Sequence, residues 1–399
     1  MTEVKIISRT EIQNSPLISK TSFNTVYKLP KQYSAYTQLA IHPNFPIFYC
    51  LMISYENRLD YMVIGVDIST NNEIMRKSLV LPIDENHIRK ACLVVSPNGT
   101  NLAIFVDNVV QVLDLETNEI IIEKIFIGGY NFKLTWINKD HLCVSDVNNF
   151  TIFKIDNSYT ETYEIPIDTI YVNYLKSKVL LEYRSQAKGQ NRTFLEYDIK
   201  NHKLLFETPL IKYLNKLSKE IYKIVVSDKY DCIVIRYKEK NILECIFGIE
   251  EKKPIKCIDW LGNEIYDFLE NIAKLNKIEG NCKDSIKIIG NKICINYYVD
   301  SSNDYMMIFD LETKTLLAEI DYINNYCFNL DENNLGFLSL ENHVVILDIS
   351  SKNPQDWKVK YHTNSLGLSE ILEFKNSYVS NNKLVWFDIP SLTILSLPF

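Results

Sequence analysis

The residues of this chain best able to do chemistry are six histidines, nine cysteines and a series of aspartates that each close a short apolar run. His42, His87, His141, His202, His343 and His362 lie far apart, several beside Asn, Asp or Pro, as turn residues do. No two of them have metal-ligand spacing, so no zinc site is predicted. The cysteines, Cys50, Cys92, Cys143, Cys232, Cys245, Cys257, Cys282, Cys294 and Cys327, include no Cys-x-x-Cys pair and stand mostly inside apolar runs. They read as buried thiols, and an odd number without framework spacing predicts a reducing, intracellular setting, the cytoplasm first, without excluding the nucleus. A nucleophile elbow, a Gly-rich phosphate loop and the His-Glu-x-x-His pattern are all missing from the sequence. The expectation is a protein that is not an enzyme, with no cofactor and no metal.

The aspartates are more informative. They occur in the pairs Val66-Asp67, Leu113-Asp114, Ile155-Asp156, Tyr197-Asp198, Phe309-Asp310, Leu347-Asp348 and Phe387-Asp388. Successive members are 47, 42 and 42 residues apart from Asp67 to Asp198, then 38 and 40 apart from Asp310 to Asp388, with one gap of 112 between. Seven carboxylates at equivalent positions of seven units cannot all be catalytic. Each is placed to accept backbone N–H groups of the turn that follows its strand. Two periods of about 42 residues fit in the long gap and leave about 28 residues of insertion, which makes eight repeats.

What positions these aspartates is a set of short strands. In the second unit, runs at Ala91–Val95, Leu102–Val106, Val109–Leu113 and Ile120–Phe126 are separated by Ser96-Pro97-Asn98-Gly99, a tight hairpin and the Asp114 turn. They have strand length, are rich in Val, Ile and Phe, and are bounded by Asn, Asp, Gly and Pro. Four strands per forty residues predict an all-β fold, a single β-propeller of four-stranded antiparallel blades, eight by this count with seven as the alternative. Residues 36–399 form the propeller. Residues 1–35 form an amino-terminal extension in which Phe23–Leu29 adds an outer strand to the last blade. The four tryptophans, Trp136, Trp260, Trp357 and Trp386, fall in or just after strands and read as packing residues.

The strand order, the Ser96-Pro97-Asn98-Gly99 turn and the Asp ending the third strand resemble WD40 repeats, from about Tyr36 to Phe399. The sequence departs from that pattern in having no Trp-Asp pair and no Gly-His pair opening a repeat, so the His-Ser/Thr-Trp-Asp network of those repeats is not carried over. The resemblance implies a non-enzymatic scaffold for protein–protein interaction, a monomeric ring within a larger complex. The alternative is a hydrolase, lyase or small-ligand binder whose polar residues converge on a propeller's central channel.

Composition narrows the partners. Net charge is −7, charged residues make up 23%, and 46% of residues are hydrophobic. No broad cationic field is present to hold a phosphate backbone or an acidic membrane, so other proteins are the expected partners rather than nucleic acid or lipid. Residues Met1–Lys20 contain neither signal-peptide nor anchor pattern.

Two insertions, at 209–220 and 260–282, break the strand pattern around the unit that lacks an anchor aspartate. In the first, Ile211, Leu214 and Leu217 have loose helical spacing while Lys212, Lys216 and Lys219 give a basic face suited to an acidic partner. In the second, Ile265, Phe268, Leu269, Ile272 and Leu275 form one stripe, with Asn263 as cap and Gly280 as stop, predicting a helix over 263–278. Tyr266, Glu270 and Lys274 are its candidate partner-contacting residues.

Overall fold

A computed structural model describes residues 4–18, 23–28, 33–35, 40–54, 56, 60–79, 91–106, 108–126, 132–146, 148–174, 177–184, 192–227, 232–237, 255–267, 281–300, 303–313, 315–321, 323–329, 333–363, 378–380, 383–388 and 391–396. These form two compact units, one of residues 1–16 and 168–362 and one of residues 17–167 and 363–399. Among the described residues, each unit holds four sheets, antiparallel except for one added strand.

In the second unit, the first sheet contains Tyr33–Ala35 and Ala40–Ile41, both paired to Ile47–Ser54, then Tyr61–Asp67 and Asn72–Leu79. The second sheet runs Ala91–Val95, Asn101–Val106, Val109–Asp114, Ile120–Ile125, and the third Lys133–Trp136, His141–Ser145, Phe150–Lys154, Thr160–Tyr163. The last sheet contains Tyr378–Ser380, Lys383–Asp388 and Ser391–Ser396, and Phe23–Lys28 pairs antiparallel with its outer strand, Phe23 opposite Leu395. The two middle strands of the second sheet are buried almost throughout, because both of their faces are covered. Phe105, Val110, Val112, Trp136, Leu142 and Phe153 join one core between the second and third sheets.

In the first unit, the fourth sheet consists of Thr169–Asn173, Lys178–Arg184, Arg192–Asp198 and the short Lys203–Leu205. The fifth is Ile221–Val226, Ile233–Tyr237, Ile255–Ile258 and Glu264–Asp267. The sixth is Asn281–Ile289, Lys292–Asp300, Asn303–Asp310 and Leu316–Asp321, with Lys5–Ile7 added in parallel along its outer edge. The seventh is Ile323–Asn329, Asn334–Ser339, Val344–Asp348 and Lys358–Thr363. Helix α1, Arg9–Gln13, follows the added strand and buries Ile12 beside Ile7.

One device recurs in the outer strands. Gly65 pairs with Met75 while Val66 pairs with Glu73, so Ile74 is an extra, bulged residue. The same shift leaves Ile121, Ile265, Leu317 and Lys360 unpaired opposite the third strands of their sheets. Such bulges sharpen the local twist and blunt an exposed edge. The turns after the third strands use Asn in the left-handed region, Asn71 with φ 61° and Asn118 with φ 59°, which is how a chain with only 11 glycines closes them.

The helix expected over 263–278 is not formed at its start. Asn263 closes a turn and Glu264–Asp267 is a strand pairing with Ile255–Ile258, Tyr266 opposite Cys257. Residues 268–280, with Glu270 and Lys274, lie outside the described residues.

Candidate functional site

The repeated aspartates act on their own turns. Asp114 Oδ1 accepts the N–H groups of Glu116 at 2.9 Å and Thr117 at 2.8 Å. Asp310 does the same with Glu312 and Thr313, and Asp198 with Lys200 and Asn201. Asp67 takes the N–H of Ser69, whose hydroxyl holds the carboxyl below its ordinary range. Asp259 belongs to the same series: its Oδ1 accepts from the N–H of Leu261 and of Asn263, both at 2.8 Å, and Asn263 Nδ2 donates to Oδ2 at 2.9 Å. The fifth sheet therefore has an anchor after all. Ile258-Asp259 satisfies the apolar-Asp pattern in the sequence, and the pair was hidden by the long gap and by the helical stripe read across it.

Two polar clusters could be mistaken for reactive centres. Ser15 Oγ lies 2.9 Å from His362 Nδ1, the spacing of a nucleophile and its base, and His343 meets the His362 ring edge-on at 5.7 Å. The single proton of Ser15 Oγ goes to the carbonyl of Ile12 at 2.7 Å, so His362 must donate to Ser15 rather than accept from it. That polarity is the reverse of what activation of a serine requires. Arg9 pairs with Glu341, Glu341 lies 3.3 Å from His343, and the backbone N–H of His362 donates to the Pro16 carbonyl. The cluster fastens the amino-terminal segment to the seventh sheet. In the fourth sheet, Glu182 pairs with Arg192 at 3.2 Å and accepts the Tyr171 hydroxyl at 2.9 Å, an internal ion pair with its own hydrogen bond. Among the described residues, no group of three or more His, Cys, Asp and Glu is arranged to hold a metal ion.

The first insertion gives a site of a different kind. Helix α2 spans Pro209–Leu217, with the Thr208 hydroxyl accepting the Ile211 N–H at 3.3 Å and Pro209 in the first turn. Leu210, Ile211 and Leu214 enter a core with Phe194, Ile221, Ile233, Ile258 and Trp260. The outer strand Lys203–Leu205 pairs only with Glu196–Asp198, which leaves Phe194 without a strand partner on that side. Asn215 takes that place: the Phe194 N–H donates to its Oδ1 at 2.7 Å, and its Nδ2 donates to the Phe194 carbonyl at 3.1 Å. The helix is thus bound by packing and by a side chain that imitates a strand.

With that face committed, Lys212 and Lys216 point to solvent from the helix and Lys219 is exposed just beyond it. Lys212 reaches Glu207 at 3.5 Å, both side chains remaining largely exposed. Two large apolar side chains flank the same surface: Phe206, 57% exposed, and Leu261, 58% exposed. Leu261 is brought there by Gly262, whose φ is +84° and where an added Cβ would lie 3.3 Å from the Pro209 carbonyl and 3.4 Å from Tyr213 Cβ. Lys212 and Lys216, four residues apart, share the exposed side of the helix, and the exposed Lys219 follows its end. Tyr266 is on the outer strand of the fifth sheet, on another element.

No protein-family model matches the sequence, and no curated protein sequence matches it. Among solved structures, the carboxy-terminal WD40 domain of Sif2 is similar with a TM-score of 0.56, covering 96% of this chain and 99% of that one at 12% identity. A eukaryotic initiation factor is similar with a TM-score of 0.54, covering 95% of this chain and 89% of the other at 11% identity. The fold is a WD40-type β-propeller. The four-strand meander, the anchor aspartates at or just after third strands and the bulged outer strands of five sheets agree with it. Val66, Leu113, Tyr197, Phe309 and Leu347, which stand where Trp is usual, are fully buried, so in this propeller an aliphatic or aromatic side chain fills the blade while the Asp turns the chain.

Proposed function

We propose that this propeller is a non-enzymatic protein-interaction scaffold, and that the solvent face of α2 is one of its docking surfaces, taking an acidic segment of a partner protein. The observation that carries the reading is the division of α2 into two faces. One is held by Leu210, Ile211, Leu214 and Asn215, while the other carries Lys212 and Lys216, continued by Lys219. Among the described residues Lys216 and Lys219 have no carboxylate partner, so their charge is available to a ligand. Phe206 and Leu261 beside them supply apolar area, and a charged rim around an apolar contact is the usual composition of a specific protein interface. Propellers at this level of likeness share architecture, so the partner is read from this surface alone. An intracellular, reducing setting accords with the mostly buried free thiols.

The test uses the intact protein and fluorescent peptides in which Asp and Glu alternate with Leu. Binding should weaken as salt rises and fall at least about tenfold when Lys212, Lys216 and Lys219 are all replaced by Glu, with the melting temperature unchanged. Equal binding by the triple variant would remove α2 from the interaction.

A further inference from the structure

Cys232 and Cys257 form a sulfur–sulfur contact inside the fifth blade, with 3.1 Å between the Sγ atoms. Cys257 is on the third strand and Cys232 immediately precedes the second, its neighbour. Ile233 pairs with Ile258 and Val234 with Cys257 in the antiparallel register. Cys232, two residues before Val234, projects to the same face of the sheet and lies diagonally across from Cys257. Both side chains are buried, 3% and 1% exposed, among Val234, Ile286, Ile293, Met307 and Phe309. A disulfide has its sulfurs about 2.05 Å apart, so these two need to approach by about 1 Å.

We propose that Cys232 and Cys257 are an oxidation site, a dithiol that a low-molecular-weight disulfide such as oxidised glutathione converts to an intramolecular disulfide. One cysteine thiolate attacks a sulfur of oxidised glutathione and releases the first glutathione thiolate. The second cysteine then attacks the mixed disulfide, forming the Cys232–Cys257 bond and releasing the second glutathione. Two protein S–H bonds are lost, two molecules of reduced glutathione form, and the protein gives up two electrons. Access begins at the end of the sheet. Cys232 lies just outside the second strand, where the Ser227 N–H donates to its carbonyl, so the first exchange needs only the end of that strand to loosen. The new bond closes a loop between positions 25 apart in sequence and fastens the second strand of the blade to the third. The same blade supplies Ile233, Ile235, Ile258 and Trp260 to the core that seats α2, so oxidation stiffens the support of the basic helix.

The experiment treats the full-length protein with a graded series of oxidised-to-reduced glutathione ratios, alkylates remaining thiols and maps the peptides by mass spectrometry. The expected product is a peptide joining Cys232 to Cys257, 2 Da lighter than its two parts, reversed by dithiothreitol and absent in Cys257→Ser. Its formation should raise the melting temperature by a few degrees, about 5 °C. The proposal is overturned if both cysteines remain alkylatable, or carry only single glutathione adducts, when the pool is fully oxidised. It is equally overturned if either pairs with a different cysteine instead. The mapping on the unsubstituted protein decides the matter even where the serine variant folds poorly, and it does not depend on any partner for α2.

Discussion

His42 and Gly99 fit together as ring against backbone: a Cβ added to Gly99 would fall on the imidazole, 2.5 Å from Nε2 and closer still to Cε1. The two belong to equivalent turns of the first and second blades. His42-Pro43-Asn44-Phe45 and Ser96-Pro97-Asn98-Gly99 each close over five residues, His42 N–H to the Ile47 carbonyl and Ser96 N–H to the Asn101 carbonyl. Each turn is tied by its first side chain. His42 Nδ1 accepts from the N–H groups of Asn44 and Phe45 at 3.1 Å each, and Ser96 Oγ accepts from Asn101 N–H at 2.9 Å.

Gly99→Ala should therefore destabilise the protein by about 2 kcal/mol or more. It places a side chain at φ +80° and forces the ring away. Urea unfolding of Gly99→Ala, His42→Ala and the double variant measures the coupling. The double variant should cost clearly less than the sum of the single ones, because removing the ring relieves the clash. Strict additivity would show that the ring does not limit the site.

Acidification should weaken the fold near pH 6. Burial holds the pKa of His42 below 6.5, against an opposing hydrogen bond with the Gly99 backbone. Burial, followed by the neighbouring His343, lowers that of His362, against a hydrogen bond with the Ser15 backbone; Glu341 and Arg9 complete the charged groups of that cluster. Both histidines then bind protons more readily in the unfolded chain than in the folded one. Stability is complete above about pH 6.5 and declines as pH falls from there toward the depressed folded values, where the decline ends. Urea midpoints measured from pH 7.5 down to 5 should drop across this window, and less so in His362→Asn. A midpoint that stayed level, or rose, would contradict the assignment.

Asn215→Ala should cost about 2 kcal/mol, since it leaves the N–H and carbonyl of Phe194 unpaired beneath α2. Asn215→Asp keeps the acceptor for the N–H and brings a second carboxylate oxygen against the Phe194 carbonyl, so it should be no better than Ala. Hydrogen exchange at the Phe194 amide is the direct measurement, and it should quicken in both variants.

The blade pattern was legible because it depends on local signals. The strand expected at Ala91–Val95 has those bounds, that expected at Val109–Leu113 extends only to Asp114, and six of the seven anchor aspartates have side chains seen tying their turns. The fifth blade was misread for a physical reason. Residues Ile265, Phe268, Leu269 and Ile272 repeat with helical spacing, yet Glu264–Asp267 lies beside Ile255–Ile258, and pairing with that strand overrides the local periodicity. Of the proposed docking surface, the three lysines could be found by spacing. The seat of α2 could not, because it rests on a contact between Phe194 and Asn215 that no local pattern records.

Asp259 offers a test of the corrected repeat. If it is the anchor of the fifth blade, Asp259→Ala removes acceptors from Leu261 and Asn263 and should cost about 1–2 kcal/mol, matching Asp114→Ala, which does the same to Glu116 and Thr117. Thermal unfolding of the two variants side by side checks this. A neutral Asp259→Ala beside a costly Asp114→Ala would separate the fifth blade from the others.

The ion pair of the fourth blade should respond in opposite ways to single and double substitution. Glu182 and Arg192 lie 3.2 Å apart with side chains 3% and 14% exposed, and Tyr171 donates its hydroxyl to the same carboxylate. Burial, reinforced by the negative charge of Glu182, pushes the Tyr171 phenol well above its ordinary range, so it stays a donor at any physiological pH. Arg192→Leu strands the carboxylate with one hydrogen bond and should cost about 3–5 kcal/mol. Glu182→Leu combined with Arg192→Leu removes both charges and their desolvation, and should recover most of that loss. Urea unfolding at neutral pH distinguishes the two; if the double variant were as unstable as Arg192→Leu alone, packing volume rather than charge would be what this part of the blade requires.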